Sequence, residues 1–221
     1  MKRKTGEDMG LKRLGTGGIQ WVERLEGSEW HWGTDVTGGD LFEARELYDA
    51  GHGIDRDRLI FVRFPEGRVC EPVRAEKGRY FGRPVFWDGA VWILTAEFSA
   101  GSVRILRWSP GEETAEETVR LPLDCARDMW NLMLCKSPLA LVRQGRENRF
   151  QVIWPEQGDF GIDPEESLDS RDGDVLRFSR WYEDPDFRQE AVFRRYPDGE
   201  VLRRESGGLF TDPDGKTWLL D

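Results

Sequence analysis

The chain repeats one kind of turn four times: Phe64-Pro65-Glu66-Gly67, Trp108-Ser109-Pro110-Gly111, Trp154-Pro155-Glu156-Gln157-Gly158 and Tyr196-Pro197-Asp198-Gly199. Each copy combines an aromatic residue, a proline, a polar residue and a glycine, and runs rich in β-forming residues flank it. Proline fixes φ at one corner of a turn, and glycine accepts the positive φ that the other corner needs. The four copies therefore predict hairpin turns at regular intervals along an all-β chain.

A second set of turns lies between the copies of the first set. Its five members are Thr37-Gly38-Gly39, Trp87-Asp88-Gly89, Lys136-Ser137-Pro138, Arg171-Asp172-Gly173 and Asp212-Pro213-Asp214-Gly215. Each leads into another run of β-forming residues. Because the two sets alternate, they predict units of four short strands, which we name a to d. The second set of turns joins a to b, and the Pro-Gly turns join c to d.

The two ends of the chain complement each other. The last unit has only its a–b hairpin before Asp221, while residues 11–14 and 19–22 resemble a c and a d strand. Four whole units and one shared between the ends predict a five-bladed β-propeller, the last blade closed by strands from both termini. Residues 1–221 then form a single domain, in which residues 1–26 supply the outer strands of the closing blade. An irregular β-sandwich is the structural alternative.

Composition excludes several classes of protein. The 10 Trp, 12 Phe and 4 Tyr in 221 residues are enough for a large core and argue against disorder. The formal net charge of −10 argues against a nucleic-acid partner, since phosphate backbones are bound through clustered Lys and Arg. The longest apolar stretch, residues 90–96, is too short to cross a bilayer, so no membrane association is expected.

The cysteines and the first residues indicate a compartment. Cys70, Cys125 and Cys135 are odd in number and have no Cys-x-x-Cys spacing, which argues against a disulfide framework and a zinc site. Residues 1–18 contain no apolar run typical of a secretory signal. We therefore predict a cytoplasmic protein with no metal and no cofactor.

The varied b–c and d–a connections of the predicted propeller are its expected functional face. Loops on a rigid scaffold usually carry function, and aromatic rings and an arginine suit stacking on a sugar or holding an acid. The candidate ligand-binding residues there are Trp30, His31, Trp32, Tyr80, Arg83, Asp128, Trp130 and Trp181. The main hypothesis is a binding module for an unknown small molecule, a carbohydrate being one version, or for a protein. For each aromatic residue and for His31, packing between blades is the alternative interpretation.

One segment suggests an enzyme instead. Residues 83–92, Arg-Pro-Val-Phe-Trp-Asp-Gly-Ala-Val-Trp, resemble the inner hairpin of five-bladed propeller glycoside hydrolases. That resemblance implies carboxylates at the ends of inner strands, and the candidate catalytic residues are Asp35, Asp128 and Asp212. Such an enzyme needs an acid and a base that face each other across the sugar. A scaffold without a small-molecule site is the third hypothesis.

Overall fold

A computed structural model describes residues 12–183 and 186–221. The strands of each sheet pair antiparallel with their neighbours, and the sheets follow one another along the chain as in a β-propeller. Both the all-β class and the propeller-like ring of sheets are therefore confirmed. The helices in the described ranges include none with the length and apolarity to span a membrane.

Four sheets, here called blades 1 to 4, contain four or more strands each. Blade 1 consists of β1 (Glu23–Arg24), β2 (Trp30–Thr34), β3 (Leu59–Arg63) and β4 (Arg68–Cys70). Blade 2 consists of β5 (Arg79–Phe81) and β6 (Val85–Trp87), which both pair with β7 (Ala90–Glu97), then β8 (Ser102–Trp108) and β9 (Glu116–Pro122). Blade 3 consists of β10 (Leu132–Cys135), β11 (Ala140–Gly145), β12 (Arg149–Trp154) and β13 (Gly158–Gly161). Blade 4 consists of β14 (Glu166–Asp172), β15 (Val175–Tyr182), β16 (Arg188–Arg195) and β17 (Val201–Ser206).

The remaining elements are few. A two-stranded hairpin, β18 (Gly208–Thr211) and β19 (Thr217–Leu220), follows blade 4. One α-helix, α1 (Leu41–Asp49), lies between β2 and β3, and a short 3₁₀ turn (Leu123–Cys125) follows β9.

The predicted fifth blade differs from the structure. The hairpin β18–β19 has two strands, and residues 12–22 form no strand that joins it; residue 11 lies outside the described ranges. Ile19 instead packs with Ile60 and Val62 of β3, and Val22 packs against the same cluster. Among the described residues there are thus four complete blades and not five, because the apolar side chains before β1 are buried against blade 1.

The predicted turns are confirmed with one exception. All four Pro-Gly turns join the third strand of a blade to the fourth, and four of the five turns of the second set join first to second strands. The prediction at Thr37-Gly38-Gly39 was wrong, because Asp40 caps a helix there: its carboxylate accepts hydrogen bonds from the backbone N–H groups of Phe42 and Glu43. The a–b turn of blade 1 lies earlier, between β1 and β2.

Apolar cores lie between successive blades and fix their spacing. One core joins blades 1 and 2 and contains Trp32, Phe61 and Trp108. The next joins blades 2 and 3 and α1, and the third joins blades 3 and 4 around Phe150 and Phe178. Successive residues of a strand point to opposite faces of its sheet. Blades 2 and 3 therefore each supply side chains to two of these cores.

A glycine in β2 tests the packing of the segment before blade 1. A Cβ at Gly33 would overlap the backbone carbonyl oxygen of Trp21 and crowd the side chain of Ile19. We predict that Gly33→Ala lowers the free energy of unfolding by about 1–3 kcal/mol, because the segment must move away from the sheet. Denaturant unfolding measures the change. Gly161→Ala is the control, since nothing lies near that position, and equal effects of the two substitutions would contradict this account of the packing.

Candidate functional site

A cavity of about 760 Å³ lies where the first strands of the blades converge. Its wall includes residues of β1, β6, β10 and β14 and of the turn between β18 and β19, so every sheet contributes. The charged side chains of the wall are Glu23, Arg24, Glu26, Arg83, Lys136, Asp169, Arg171, Asp172, Arg177 and Lys216. This central cavity combines rigid walls with many polar groups.

The cavity lies at the end of the channel where the short a–b turns are. Lys136 and Ser137 come from the turn of blade 3, Asp172 from the end of β14, and Gly215 and Lys216 from the turn of the hairpin. The sequence pattern favours the opposite end, where the longer b–c and d–a connections lie. The structure thus puts the central cavity at the face with the more regular turns.

Packed side chains occupy the end with the longer connections. Helix α1 buries Leu41 and Ala44 in the core of blades 2 and 3. The ring of Phe42 meets Trp130 edge to face at 4.9 Å, and the guanidinium of Arg146 lies over both rings. Trp130 is therefore held by packing contacts.

Two of the predicted ligand-binding residues meet at the cavity. Trp32 and Arg83 both line it, and both also line a neighbouring cavity of about 370 Å³. Glu23 is the third residue shared by the two cavities, and its carboxylate lies 3.3 Å from the guanidinium of Arg83. This ion pair marks the boundary between the two cavities.

The other aromatic and histidine candidates lie elsewhere. Trp30 packs edge to face against Trp108 at 5.1 Å. Tyr80 is fully buried, and its hydroxyl accepts a hydrogen bond from the backbone N–H of Ile54. Trp181 is exposed near the end of β15.

His31 lies in β2, where its ring meets Phe64 edge to face at 4.9 Å. Burial and the nearby charge of Arg24 lower the pKa of His31. The imidazole is therefore neutral at physiological pH and packs as an aromatic ring.

Apart from Arg83, the basic residues of the wall were missed as ligand-binding candidates by sequence reasoning. Lys136 and Arg171 belong to the predicted a–b turns, so their positions were available from the repeat. The missing information was which end of the channel holds the cavity.

The candidate catalytic residue Asp128 forms a structural ion pair. Its two oxygens accept hydrogen bonds of 2.7 Å from the fully buried guanidinium of Arg143, and one of them also accepts from the backbone N–H of Trp130. The hydrogen bonds from Arg143 lower the pKa of Asp128. Glu147 binds the same guanidinium, so Asp128 is ionised and anchors the loop before β10.

The other two candidate carboxylates have separate surroundings. Asp35 lies 3.8 Å from Arg58 and lines only the smaller cavity. Asp212 accepts hydrogen bonds from the indole of Trp218 and the backbone of Lys216 and Asp214, and these lower its pKa. Neither the central cavity nor the neighbouring cavity of about 370 Å³ is lined by more than one of the three candidates. Within residues 12–183 and 186–221, no three His, Cys, Asp or Glu side chains group as a metal site requires.

Comparison with known protein families finds no match to the chain, and no curated protein matches it either. The resemblance of residues 83–92 to glycoside hydrolases therefore receives no support from a relative.

Removal of the Asp128 charge tests its structural role. Asp128→Asn leaves Arg143 fully buried with one fewer carboxylate partner, so we expect the free energy of unfolding to fall by about 1–3 kcal/mol. Asp159→Asn is the matched control, because Asp159 pairs with Arg149 at the exposed edge of blade 3 and such pairs contribute about 0–1 kcal/mol. Denaturant unfolding compares the two variants. Equal losses would mean that the Asp128–Arg143 pair stabilises the fold no more than an exposed pair does.

Asp57 is a buried carboxyl group that the sequence pattern does not single out. It is 1% exposed, and neither of its oxygens makes a hydrogen bond of good geometry. Burial raises the pKa of Asp57 to about 7, and the nearby negative charge of Asp35 also raises it. The backbone N–H groups of Phe81 and Val36 act in the opposite direction and lower this pKa. The folded protein therefore holds a proton on Asp57 at a pH where the unfolded chain has released it.

This difference predicts a pH-dependent stability. Because the folded-state pKa is raised, the contribution of Asp57 falls as pH rises from about 4 to about 7. We expect Asp57→Asn and the natural protein to be about equally stable at pH 4, and the variant to be more stable by about 2–4 kcal/mol at pH 8. Denaturant unfolding at several pH values measures this difference, with Asp159→Asn as the control. A difference that does not change with pH would contradict the raised pKa.

Proposed function

We propose that this protein is a binding module that holds a small molecule in the central cavity. The observation that carries the proposal is the cavity itself, with walls from all four blades and from the hairpin. Its volume of about 760 Å³ is within the usual range of small-molecule sites, about 300–1,000 Å³.

The composition of the wall supports a polar ligand. Trp32, Val85 and Phe86 supply apolar surface, while Ser170 and Thr217 supply hydroxyl groups that can donate and accept hydrogen bonds. Two of the predicted ligand-binding residues, Trp32 and Arg83, take part in this site. We assign Trp30, Tyr80 and Trp130 to the packing of the blades.

We also propose that the hairpin β18–β19 acts as the inner half of a fifth unit of the ring. It lies between blade 4 and blade 1, since the backbone N–H of Gly207 donates to Gln189 of β16 and that of Gly27 donates to Pro213. Thr211 and Thr217 extend the cavity wall there. The thiols of Cys70, Cys125 and Cys135 are free, which suits a reducing, cytoplasmic compartment.

The two other functions considered from the sequence have less support. A glycoside hydrolase needs two facing carboxylates, and Asp35, Asp128 and Asp212 bind different partners. A scaffold needs no cavity, and it is the function that would remain if no small molecule binds.

The proposal is tested by blocking the cavity. Sugars, sugar acids, sugar phosphates, amino acids and nucleotides are screened for a shift in melting temperature, and each compound that binds is then measured by calorimetry. Ser170→Phe, on β14, puts a ring into the cavity, and we expect it to weaken binding by at least about tenfold, because the ligand and the ring cannot share the space.

Ser206→Phe, on the outer strand β17 of the same blade, is the matched control and should bind as the natural protein does. Two results would overturn the proposal. One is that no compound of the screen binds, and the other is that Ser170→Phe binds as tightly as its control.

A further inference from the structure

We propose that the molecule in the central cavity carries a carboxylate or phosphate group, and that Arg83 binds this group in exchange for Glu23. This inference rests on the proposed function, because it concerns the chemistry of the same site. It assigns Arg83 as the residue that determines specificity and Glu23 as the group that holds Arg83 in the absence of ligand.

The charge of the wall is opposite in sign to that of the whole chain. Six basic and four acidic side chains line the cavity, whereas the complete chain has a formal charge of −10. A basic cavity in an acidic protein attracts anions locally, and partly enclosed walls strengthen that attraction relative to bulk water.

Arg83 has hydrogen-bond donors available. A guanidinium group carries five N–H donors, and Arg83 uses them for one hydrogen bond, to Glu23 at the long distance of 3.5 Å. Arg143, by contrast, makes five hydrogen bonds to Asp128, Glu147 and Gln151. The guanidinium of Arg83 is therefore free to bind a planar carboxylate or a phosphate with two parallel hydrogen bonds.

The position of Arg83 suits a group that moves toward a ligand. Its side chain is 67% exposed, and it lies in the break between β5 and β6, which both pair with β7. The backbone on one side is fixed, because Gly39 approaches the backbone nitrogen and the side-chain stem of Arg83 so closely that it has no room for a Cβ. The stem is thus held while the guanidinium reaches into both cavities.

A second basic group fixes a positive charge in the wall. Arg171 is 5% exposed, donates hydrogen bonds to the backbone carbonyls of Gly173 and Pro138, and stacks on the ring of Tyr196. These contacts leave its charge without a carboxylate partner within the described ranges. Arg171 therefore keeps a positive potential in the cavity whether or not Arg83 is paired.

Glu23 competes with the ligand for Arg83. Its contact with Arg83 is long and partly exposed, and exposed ion pairs contribute about 0–1 kcal/mol. An acidic ligand can therefore displace it at little cost. Removal of the Glu23 charge should tighten the binding of acids, since it removes both the competitor and a repulsive charge.

The test uses neutral and acidic compounds of the same skeleton. Glucose is compared with glucuronate and glucose 6-phosphate, ribose with ribose 5-phosphate, glycerol with glycerate and 3-phosphoglycerate, and adenosine with its monophosphate. Calorimetry measures binding to the full chain. We expect at least one acid to bind at least about tenfold more tightly than its neutral counterpart, the effect of one bidentate charge-assisted contact. The glucose series has both a carboxylate member and a phosphate member, and their comparison shows which group is preferred.

Two substitutions with opposite expected effects test the roles of Arg83 and Glu23. Arg83→Gln should weaken binding of the preferred acid by at least about tenfold, and Glu23→Gln should tighten it by about threefold or more. Arg195→Gln and Glu200→Gln, which break an exposed ion pair on blade 4 away from the cavity, are the controls and should change binding by less than about twofold.

The outcomes separate this inference from the proposed function. Neutral compounds that bind as tightly as the acids, or acid binding unaffected by Arg83→Gln, would overturn the inference and leave the cavity as a binding site. Failure of every compound to bind, neutral or acidic, would count against the proposed function as well.

Discussion

The structure depends on the burial of blade faces against their neighbours. Successive blades share apolar cores, and these cores hold the sheets together in the ring. Side chains such as Trp108 and Phe150 fill the wedge between two sheets, and they do not reach the centre. The central space is therefore a consequence of the packing between blades, and its walls are rigid because the cores behind them are closely packed.

The two ends of that space differ because of one insertion. Helix α1 lies in the long connection between β2 and β3, and its apolar face completes the core of blades 2 and 3. Phe42, Trp130 and Arg146 pack against one another among the longer connections. The end with the short turns stays open, and the basic residues of those turns face the cavity. The proposed binding site therefore lies at the end of the channel where the turns are short and regular.

Much of the fold is predictable because its signals are local. Proline and glycine in the turn at Tyr196-Pro197-Asp198-Gly199 have a direct effect on backbone geometry, so the hairpins follow from the sequence. The helix after Asp40 also has a local signal, a capping residue followed by apolar residues at helical spacing, but the glycines before it suggest a hairpin turn. The closure of the ring has no local signal. Whether Ile19 packs on blade 1 or joins a last blade depends on contacts between distant parts of the chain.

The site was only partly predictable for the same reason. Arg83 and Trp32 were candidates because of their residue types, and the structure brings both to the cavity. Asp128 has the residue type of a catalytic acid, yet its partner, the buried Arg143, lies on β11, and the pairing becomes visible only in the fold.

The most direct measurement is a crystal structure of the protein soaked with the acid that binds most tightly in the matched series. The account predicts ligand density in the central cavity, with the acidic group within about 3 Å of the guanidinium of Arg83 and Glu23 displaced from it. Density at the end with the longer connections or on an outer blade surface, with the cavity empty of ligand, would contradict the central claim.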